Sequence, residues 1–431
     1  MLANFSVVRR LLVSIALASA CCGAAAGCTS LGSSQSNITA ALPDPYTGSQ
    51  TQQGPGLIPD TWVGFHAYQV FDGDVSDSQA SADAHLYDMV WGSQKPTAWS
   101  SGNHLIDTSW YLPFDTDGTN LHTLAWWKKN HPDWVLYRCD ERTPAWAGGV
   151  PNIPIDISNP TAVHWQLTTY APVAESGGYS GIAADLVDLT NSGAGCGVFI
   201  NGVWTARFNG QSTDPAWASA VIAWAADAQR YLHSLARPLQ LGVNNVPEYR
   251  PAGDADETAL ISHADYINDE SSFTDYGNSY ASLSKFKSIV AWMQYVQSLN
   301  KPWIIVDKWN TQQLSTQELG WSLATYLMGK YHYAAMFTDH MPGYGKEYWH
   351  PEYGAAVGSP CGDMYPDPSY KGVYYRKYTG AFVIVNASNT AGFTVTLPKP
   401  SYTDIDGGSV TSPLLVPADT GRVLMTNRGC R

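Results

Sequence analysis

The chain has 431 residues, enough for a core of about 250–300 residues and a smaller appended domain. Its 24 Lys and Arg stand against 37 Asp and Glu, a formal charge of −13 that repels phosphate backbones and argues against nucleic acid as a partner. Charged residues make up only 14% and aromatics 12%, with 17 Trp and 25 Tyr. Rigid aromatic faces suit stacking on sugar rings, although much of this content must pack the core.

The chain opens with Arg9 and Arg10 before an apolar run, Leu11 to Ala20, too short to span a bilayer comfortably. Residues 1–28 therefore read as an export signal. Cys28 follows Ala25, Ala26 and Gly27 and reads as a bacterial lipoprotein processing site. Cys21, after Ala18, Ser19 and Ala20, is the alternative, and simple secretion with cleavage near Ala20 is another. Residues 29–57, rich in Ser, Gln, Gly, Thr and Pro, read as a flexible tether. The expectation is an exported protein, lipid-anchored in the bacterial envelope or secreted, that meets a membrane only through the lipid. Cys139, Cys196, Cys361 and Cys430 then remain for disulfides in an oxidising compartment. Three pairings are open. A Cys139–Cys196 bridge is one possibility, and Cys361 with Cys430 would tie the chain end to the last loop of the main domain.

From residue 58 to 370, strand-like runs alternate with helix-like ones. The strand candidates are Trp62–Tyr68, Leu86–Trp91, Trp134–Cys139, Gly181–Val187, Leu239–Asn244, Ala264–Asp269, Trp303–Asp307 and Ala334–Thr338. The clearest helices are Thr123–Asn130, Pro160–Ala171, Pro215–Leu235, Ser282–Asn300 and Gln317–Lys330. Pro160 and Pro215 stand where a first turn accepts proline, behind Asn159 and Asp214 as N-caps. Strands alternating with helices predict a parallel sheet, and eight such units fit a closed (β/α)8 TIM barrel. From 371 to 431 the pattern becomes purely β, with Gly, Pro, Asn and Asp between short runs, and predicts a small C-terminal antiparallel β domain.

In such a barrel, catalytic groups collect at the C-terminal ends of the strands. Asp185 ends the fourth predicted strand, with Asp188 three residues beyond. Asp269 and Glu270 end the sixth. Two carboxylates from two strand ends are the minimum equipment for glycoside hydrolysis, one attacking or activating water and the other donating a proton. Side chains alternate along a strand, so only one of Asp269 and Glu270 faces the mouth; Glu270 is favoured and Asp269 is the runner-up. The other predicted strand ends are polar as well: His66, Arg138 with Asp140, Asn244 with Asn245, Asp307 with Lys308, and Asp339 with His340. Trp91, Trp146, Trp309, Tyr348 and Trp349 lie in or beside the same loops as candidate sugar platforms. The chain has no His-x-His pair at its first strand, no zinc-protease helix motif and no serine-hydrolase elbow, so no metal or organic cofactor is expected. Nothing in the sequence speaks to oligomeric state.

Four segments, Ile153 to Pro160, Gly181 to Asp185, Tyr266 to Glu270 and Tyr375 to Asn386, come in the order seen in glycoside-hydrolase-like TIM-barrel proteins. The chain resembles the hypothetical glycosyl hydrolase families of unassigned substrate and, more distantly, the α-galactosidase-like clan. The resemblance covers roughly Trp62 to Met425. In that clan the nucleophile follows the fourth strand and the acid/base the sixth, which implies Asp185 and Glu270 in those roles and retention of anomeric configuration. Ala183, Ala184 and Leu186 depart from the commoner residues around the fourth-strand carboxylate. The resulting expectation is an exported glycosidase acting on a poly- or oligosaccharide, such as an envelope or exopolysaccharide. The alternative is a non-catalytic polysaccharide-binding or assembly lipoprotein on a degenerate barrel.

Overall fold

The computed structural model describes residues 64–100, 105–111, 122–146, 153–340, 345–346, 349–427 and 430. The export segment with Cys21 and Cys28, the tether, the start of the first predicted strand and Tyr348 lie outside these residues.

Eight parallel strands form one sheet: β1 (Tyr68–Val70), β2 (Met89–Trp91), β3 (Leu105–Tyr111), β4 (Gly181–Asp185), β7 (Gln240–Asn244), β8 (Tyr266–Asp269), β9 (Trp303–Trp309) and β10 (Ala334–His340). A parallel bridge from Ala67 to Met336 joins the last strand back to the first, closing the barrel. The hairpin β5 (Gly197–Ile200) and β6 (Val203–Ala206) lies between the fourth and fifth barrel strands. Helices α1 (Asp77–Asp83), α2 (Pro96–Trp99), α3 (Leu124–Asn130), α4 (Pro160–Ser176), α5 (Pro215–His233), α6 (Ala255–Ser262), α7 (Leu283–Ser298) and α8 (Thr316–Gly329) alternate with the strands. Asn159 and Asp214 cap α4 and α5 through their side chains, each ahead of a first-turn proline. Helix α4 runs on through Pro172, one turn beyond the predicted end.

Period-2 alternation sorts the strand residues. Tyr68, Val70, Met89, Trp91, Leu105, Ala183, Tyr266, Ile304, Val306, Ala335 and Phe337 fill the barrel interior. Ile182, Ala184, Leu241, Val243, Ile267, Trp303, Ile305 and Trp309 face the helix layer. The ring of Tyr266 lies over Gly242, where a Cβ would come within 1.9 Å of it, so only glycine fits there. Asp107, fully buried, accepts a 2.6 Å hydrogen bond from the Tyr266 hydroxyl, and burial raises its pKa to about 7.

The third strand is a correction. Trp134–Cys139 does not enter the barrel; its residues make isolated bridges to Ile155, Pro144 and Gly197 in the excursion between β3 and the β5–β6 hairpin. The barrel strand is Leu105–Tyr111, whose interior positions include the polar Asp107 and Ser109. An apolar run is the usual mark of a buried parallel strand, and Asp107 breaks it because Tyr266 and the Gly92 amide satisfy the carboxyl. Two disulfides form, Cys139–Cys196 across that excursion and Cys361–Cys430 at the chain end.

A six-stranded antiparallel sheet follows, in the order β11 (Tyr365–Pro366), β12 (Val373–Lys377), β13 (Ala381–Asn386), β18 (Thr420–Met425), β15 (Ser401–Asp404), β16 (Ser409–Thr411), with β14 (Phe393–Val395) paired to β17 (Leu414–Val416). It belongs to the same compact unit as the barrel. Fully buried Arg376 donates to the carbonyls of Leu327, Met328 and Lys330 at the end of α8, where helical partners run out, and the Tyr378 hydroxyl joins it at Leu327. Strand β18 crosses the same helix so closely that a Cβ on Gly421 would sit 2.5 Å from the Gly320 carbonyl.

Candidate active site

On β4, Ala183 faces the interior and Ile182 and Ala184 face the helices, so alternation turns Asp185 inward at the mouth. The same parity turns Asn244 inward on β7, Glu270 inward just past β8 and Lys308 inward on β9. Four adjacent strands thus bring an acid, an amide, an acid and a lysine to one place. The Asn244 amide nitrogen donates to Asp185 Oδ1 at 2.9 Å and to Glu270 Oε2 at 3.1 Å. The bridged oxygens therefore lie at most about 6 Å apart. Retaining glycosidases hold their carboxyls about 5–5.5 Å apart, whereas inverting ones hold them about 6.5–9.5 Å apart. The other Glu270 oxygen pairs with the Lys308 ammonium, and 27% of the Glu270 side chain stays exposed.

Burial and then the charge of Glu270 raise the Asp185 pKa to about 6; hydrogen bonds from Asn244 and the Leu186 amide, and the Lys308 charge, oppose the shift. Leu186 holds its left-handed conformation (φ 58°) while its amide donates to Asp185 Oδ1 at 2.8 Å. Non-glycine backbone in that region costs of order 1–3 kcal/mol and clusters at functional sites. The arrangement brings two carboxyls from neighbouring strand ends to one side chain, the pair of groups that displacement at a glycosidic bond uses.

The remaining sequence-predicted residues fall elsewhere, each for a definable reason. His66 precedes β1 and lies at the foot of the barrel, with Nδ1 2.8 Å from Asp88. Trp91 fills the interior, edge-on to Tyr266 at 6.1 Å. Arg138 braces loops by donating to the carbonyls of Gly193 and Trp146, and Asp140 caps its own turn. Asp188 holds the loop after β4 by accepting from the Thr190 amide at 2.7 Å. Asn245 is buried and donates to Glu257. Asp307 faces outward and accepts from the Phe273 amide at 2.9 Å, and Trp309 faces outward onto Ser322. Asp339 is inward by parity but holds the amide and ring of its neighbour His340. Trp349 packs edge-on to Tyr87 and Tyr353.

Asp269, the runner-up, lies on the outer face, where it accepts from the amides of Ser271 and Ser272. It belongs to a second acidic group behind the barrel wall, with Glu248 and Asp307, and Lys285 lies 3.6 Å from Glu248. Two aromatic residues in the turns after β7 and β8, Tyr249 and Tyr276, are 74% and 37% exposed. Tyr249 went unread because it lies in a polar loop without periodicity. The only signal for it was its place just past the β7 end. Among the described residues no group of three or more His, Cys, Asp or Glu is arranged to hold a metal ion.

No curated protein matches the chain. Among solved structures it is similar to a noncanonic maltogenic α-amylase from Thermotoga neapolitana (12% identity, 85% of this chain and 97% of that one, TM-score 0.45). It is also similar to an α-amylase from Lactobacillus plantarum (12%, 84% and 98%, 0.46) and to a GH36 α-galactosidase from Geobacillus stearothermophilus (10%, 84% and 56%, 0.42). The sequence pattern of hypothetical glycosyl hydrolase family 15 matches residues 104–382, from the start of β3 into β13 and across every residue of the carboxylate cluster. The chain belongs to hypothetical glycosyl hydrolase family 15 and is a glycoside hydrolase.

Proposed function

We propose that the chain cleaves O-glycosidic bonds of a poly- or oligosaccharide by double displacement between Asp185 and Glu270. The observation that supports this is the Asn244 amide, which spends its nitrogen on both carboxyls and so keeps one oxygen of each within about 6 Å, short of the inverting range. Following the clan resemblance, the Asp185 carboxylate attacks the anomeric carbon while the Glu270 carboxyl gives its proton to the departing oxygen. A glycosyl ester on Asp185 results. Glu270 then takes a proton from water, whose oxygen attacks the anomeric carbon and releases Asp185.

One observation favours exchanged roles: Lys308 pairs with Glu270, while burial and the Glu270 charge push the Asp185 carboxyl up to about 6, the direction a proton donor needs. Azide separates the two. With an activated aryl glycoside, Asp185→Ala plus azide yields the inverted glycosyl azide if Asp185 is the nucleophile. It yields the retained product if Asp185 is the acid/base. Absence of hydrolysis by the wild type across a broad oligosaccharide panel, with calorimetric binding intact, would instead establish the non-catalytic polysaccharide-binding reading.

We further propose export with a lipid on Cys28, Cys21 being the alternative, and an envelope or exopolysaccharide substrate. Support comes from the arginine-led apolar run and from two disulfides, which suit an oxidising compartment. Among the described residues no helix is long and apolar enough to cross a membrane. Mass spectrometry of the mature N-terminus tests the anchor. A diacylglyceryl cysteine at position 28 is expected, and an unmodified terminus near residue 21 refutes it.

A further inference from the structure

Seven large hydrophobic side chains are exposed among the described residues: Val173, Val203, Tyr249, Tyr276, Leu299, Tyr365 and Leu415. Only Tyr249 and Tyr276 stand on loops that follow the strands presenting Asn244 and Glu270. Tyr249 lies in a short turn, Pro247–Tyr249, five residues past Asn244, and its phenol lies against the Ser271 side chain, next after Glu270. Tyr276 lies in the turn Ser272–Gly277 directly after the same glutamate. The Lys308 ammonium, which pairs with Glu270, sits 5.8 Å from the centre of the Tyr276 ring, and Lys285 sits 5.9 Å from it. A single exposed tyrosine needs no explanation. Two that neighbour one another at the edge of a carboxylate pair do.

The backbone beneath Tyr276 is strained. Ser272, Asp275 and Tyr276 all hold positive φ, at 34°, 44° and 56°. Surrounding contacts over-determine this shape. Lys285 ties down Asp275 at 2.8 Å, Asn310 Nδ2 donates to the Tyr276 carbonyl at 3.2 Å, and the Asn310 amide donates to the Gly277 carbonyl at 3.0 Å. Three unfavourable residues in one six-residue turn are a stability loss that a mere connector would avoid. Here they fix the ring beside the reacting pair.

We propose that Tyr249 and Tyr276 form a stacking platform for a pyranose ring on the leaving-group side of Glu270. The C–H face of the sugar lies on the phenol rings, beside the Lys308 ammonium that pairs with Glu270. This rests on the proposed double displacement with Glu270 as acid, because the group that protonates the departing oxygen stands beside the sugar that departs with it.

The test uses the full chain and compares disaccharides with glycosyl fluorides, whose leaving group is too small to reach the platform. The probes are α- and β-linked gluco-, galacto- and mannobiosides and the matching fluorides. Tyr249→Ala is expected to lower the ratio of kcat/KM for the disaccharide to kcat/KM for the fluoride by about fivefold, the scale of one aromatic contact, mainly through KM. Tyr249→Phe should restore it. An unchanged ratio, or an equal fall for both substrates, overturns the platform. If the wild type cleaves none of the panel, the hydrolase mechanism fails separately. The platform is then judged by calorimetric titration of the same disaccharides: binding weakened in Tyr249→Ala keeps it, and equal or absent binding removes it.

Discussion

Two clusters of acids, each with one lysine, face each other across the barrel wall. The inner one holds Asp185, Glu270 and Lys308; the outer one holds Asp269, Asp307, Glu248 and Lys285. They interleave in sequence, since Asp269 precedes Glu270 and Asp307 precedes Lys308, and alternation along a strand sends neighbours to opposite faces. Their chemistry differs through water. The inner carboxyls are partly open to the mouth, whereas Asp269 and Asp307 are fully buried among backbone amides that hold the loops after β8 and β9. The lesson is that residue type and position in a strand-end motif do not identify a catalytic acid. The face decides only which acid can reach Asn244 and its partner carboxyl.

The sharpest way to break this contrast is by paired substitution. Asp185→Asn and Glu270→Gln should each lower kcat/KM by about a thousandfold or more while the melting temperature moves little. Asp269→Asn should leave kcat/KM within a few-fold of wild type. Residual turnover above a few per cent in Asp185→Asn removes it from the reaction, and a large loss in Asp269→Asn would collapse the distinction between the faces.

Next in size is the lysine of the outer cluster. Lys285→Met leaves Glu248 and Asp269 buried without a cation, and chemical denaturation should show a loss of about 3 kcal/mol. A variant as stable as wild type would show that the outer acids are neutral in the folded protein and need no counter-charge.

Lys308→Met probes the inner cluster. The Lys308 charge lowers the Asp185 pKa, so its loss should carry that pKa above about 6. With Asp185 as the ionised nucleophile, the acid limb of the kcat/KM profile then moves to higher pH by about one unit. An unmoved acid limb with a shifted basic limb would favour Asp185 as the proton donor.

A separate effect concerns pH and stability. Burial raises Asp307 from 3.8 to about 7. A raised carboxyl binds more protons folded than unfolded between those values, so its contribution to stability is lost as pH rises from about 4 to about 7. Asp307→Asn keeps the oxygen that accepts from Phe273 and removes the titration. Its melting temperature should match wild type near pH 4 and exceed it by a few degrees at pH 8. A difference independent of pH would show that Asp307 does not titrate in this window.

Much of the second half of the barrel was legible in the chain. The strands from Gly181, Leu239, Ala264, Trp303 and Ala334 are near-continuous apolar runs with capped helices between them, as fully buried parallel strands should be. The first half was not. Strand β3 carries Asp107 into the interior, and β1 is only three residues long and begins at Tyr68, which drops His66 from the mouth to the foot. A shift of a few residues along a strand moves a side chain from one end of the barrel to the other.

The sequence by itself determined the alternation of strands and helices, the β-only tail, the cysteine set and the turning of Asp269 and Glu270 to opposite faces. All of these follow from local periodicity and composition, which act over a few residues. Only the tertiary structure decided that Asn244 spans the two carboxyls, that Lys308 joins them while Asp307 and Trp309 back the wall, and that Tyr249 and Tyr276 stay exposed, with Lys308 near the Tyr276 ring. Those outcomes depend on which strands become neighbours and how far each is staggered, and that is fixed by closing the barrel around side chains far apart in the chain.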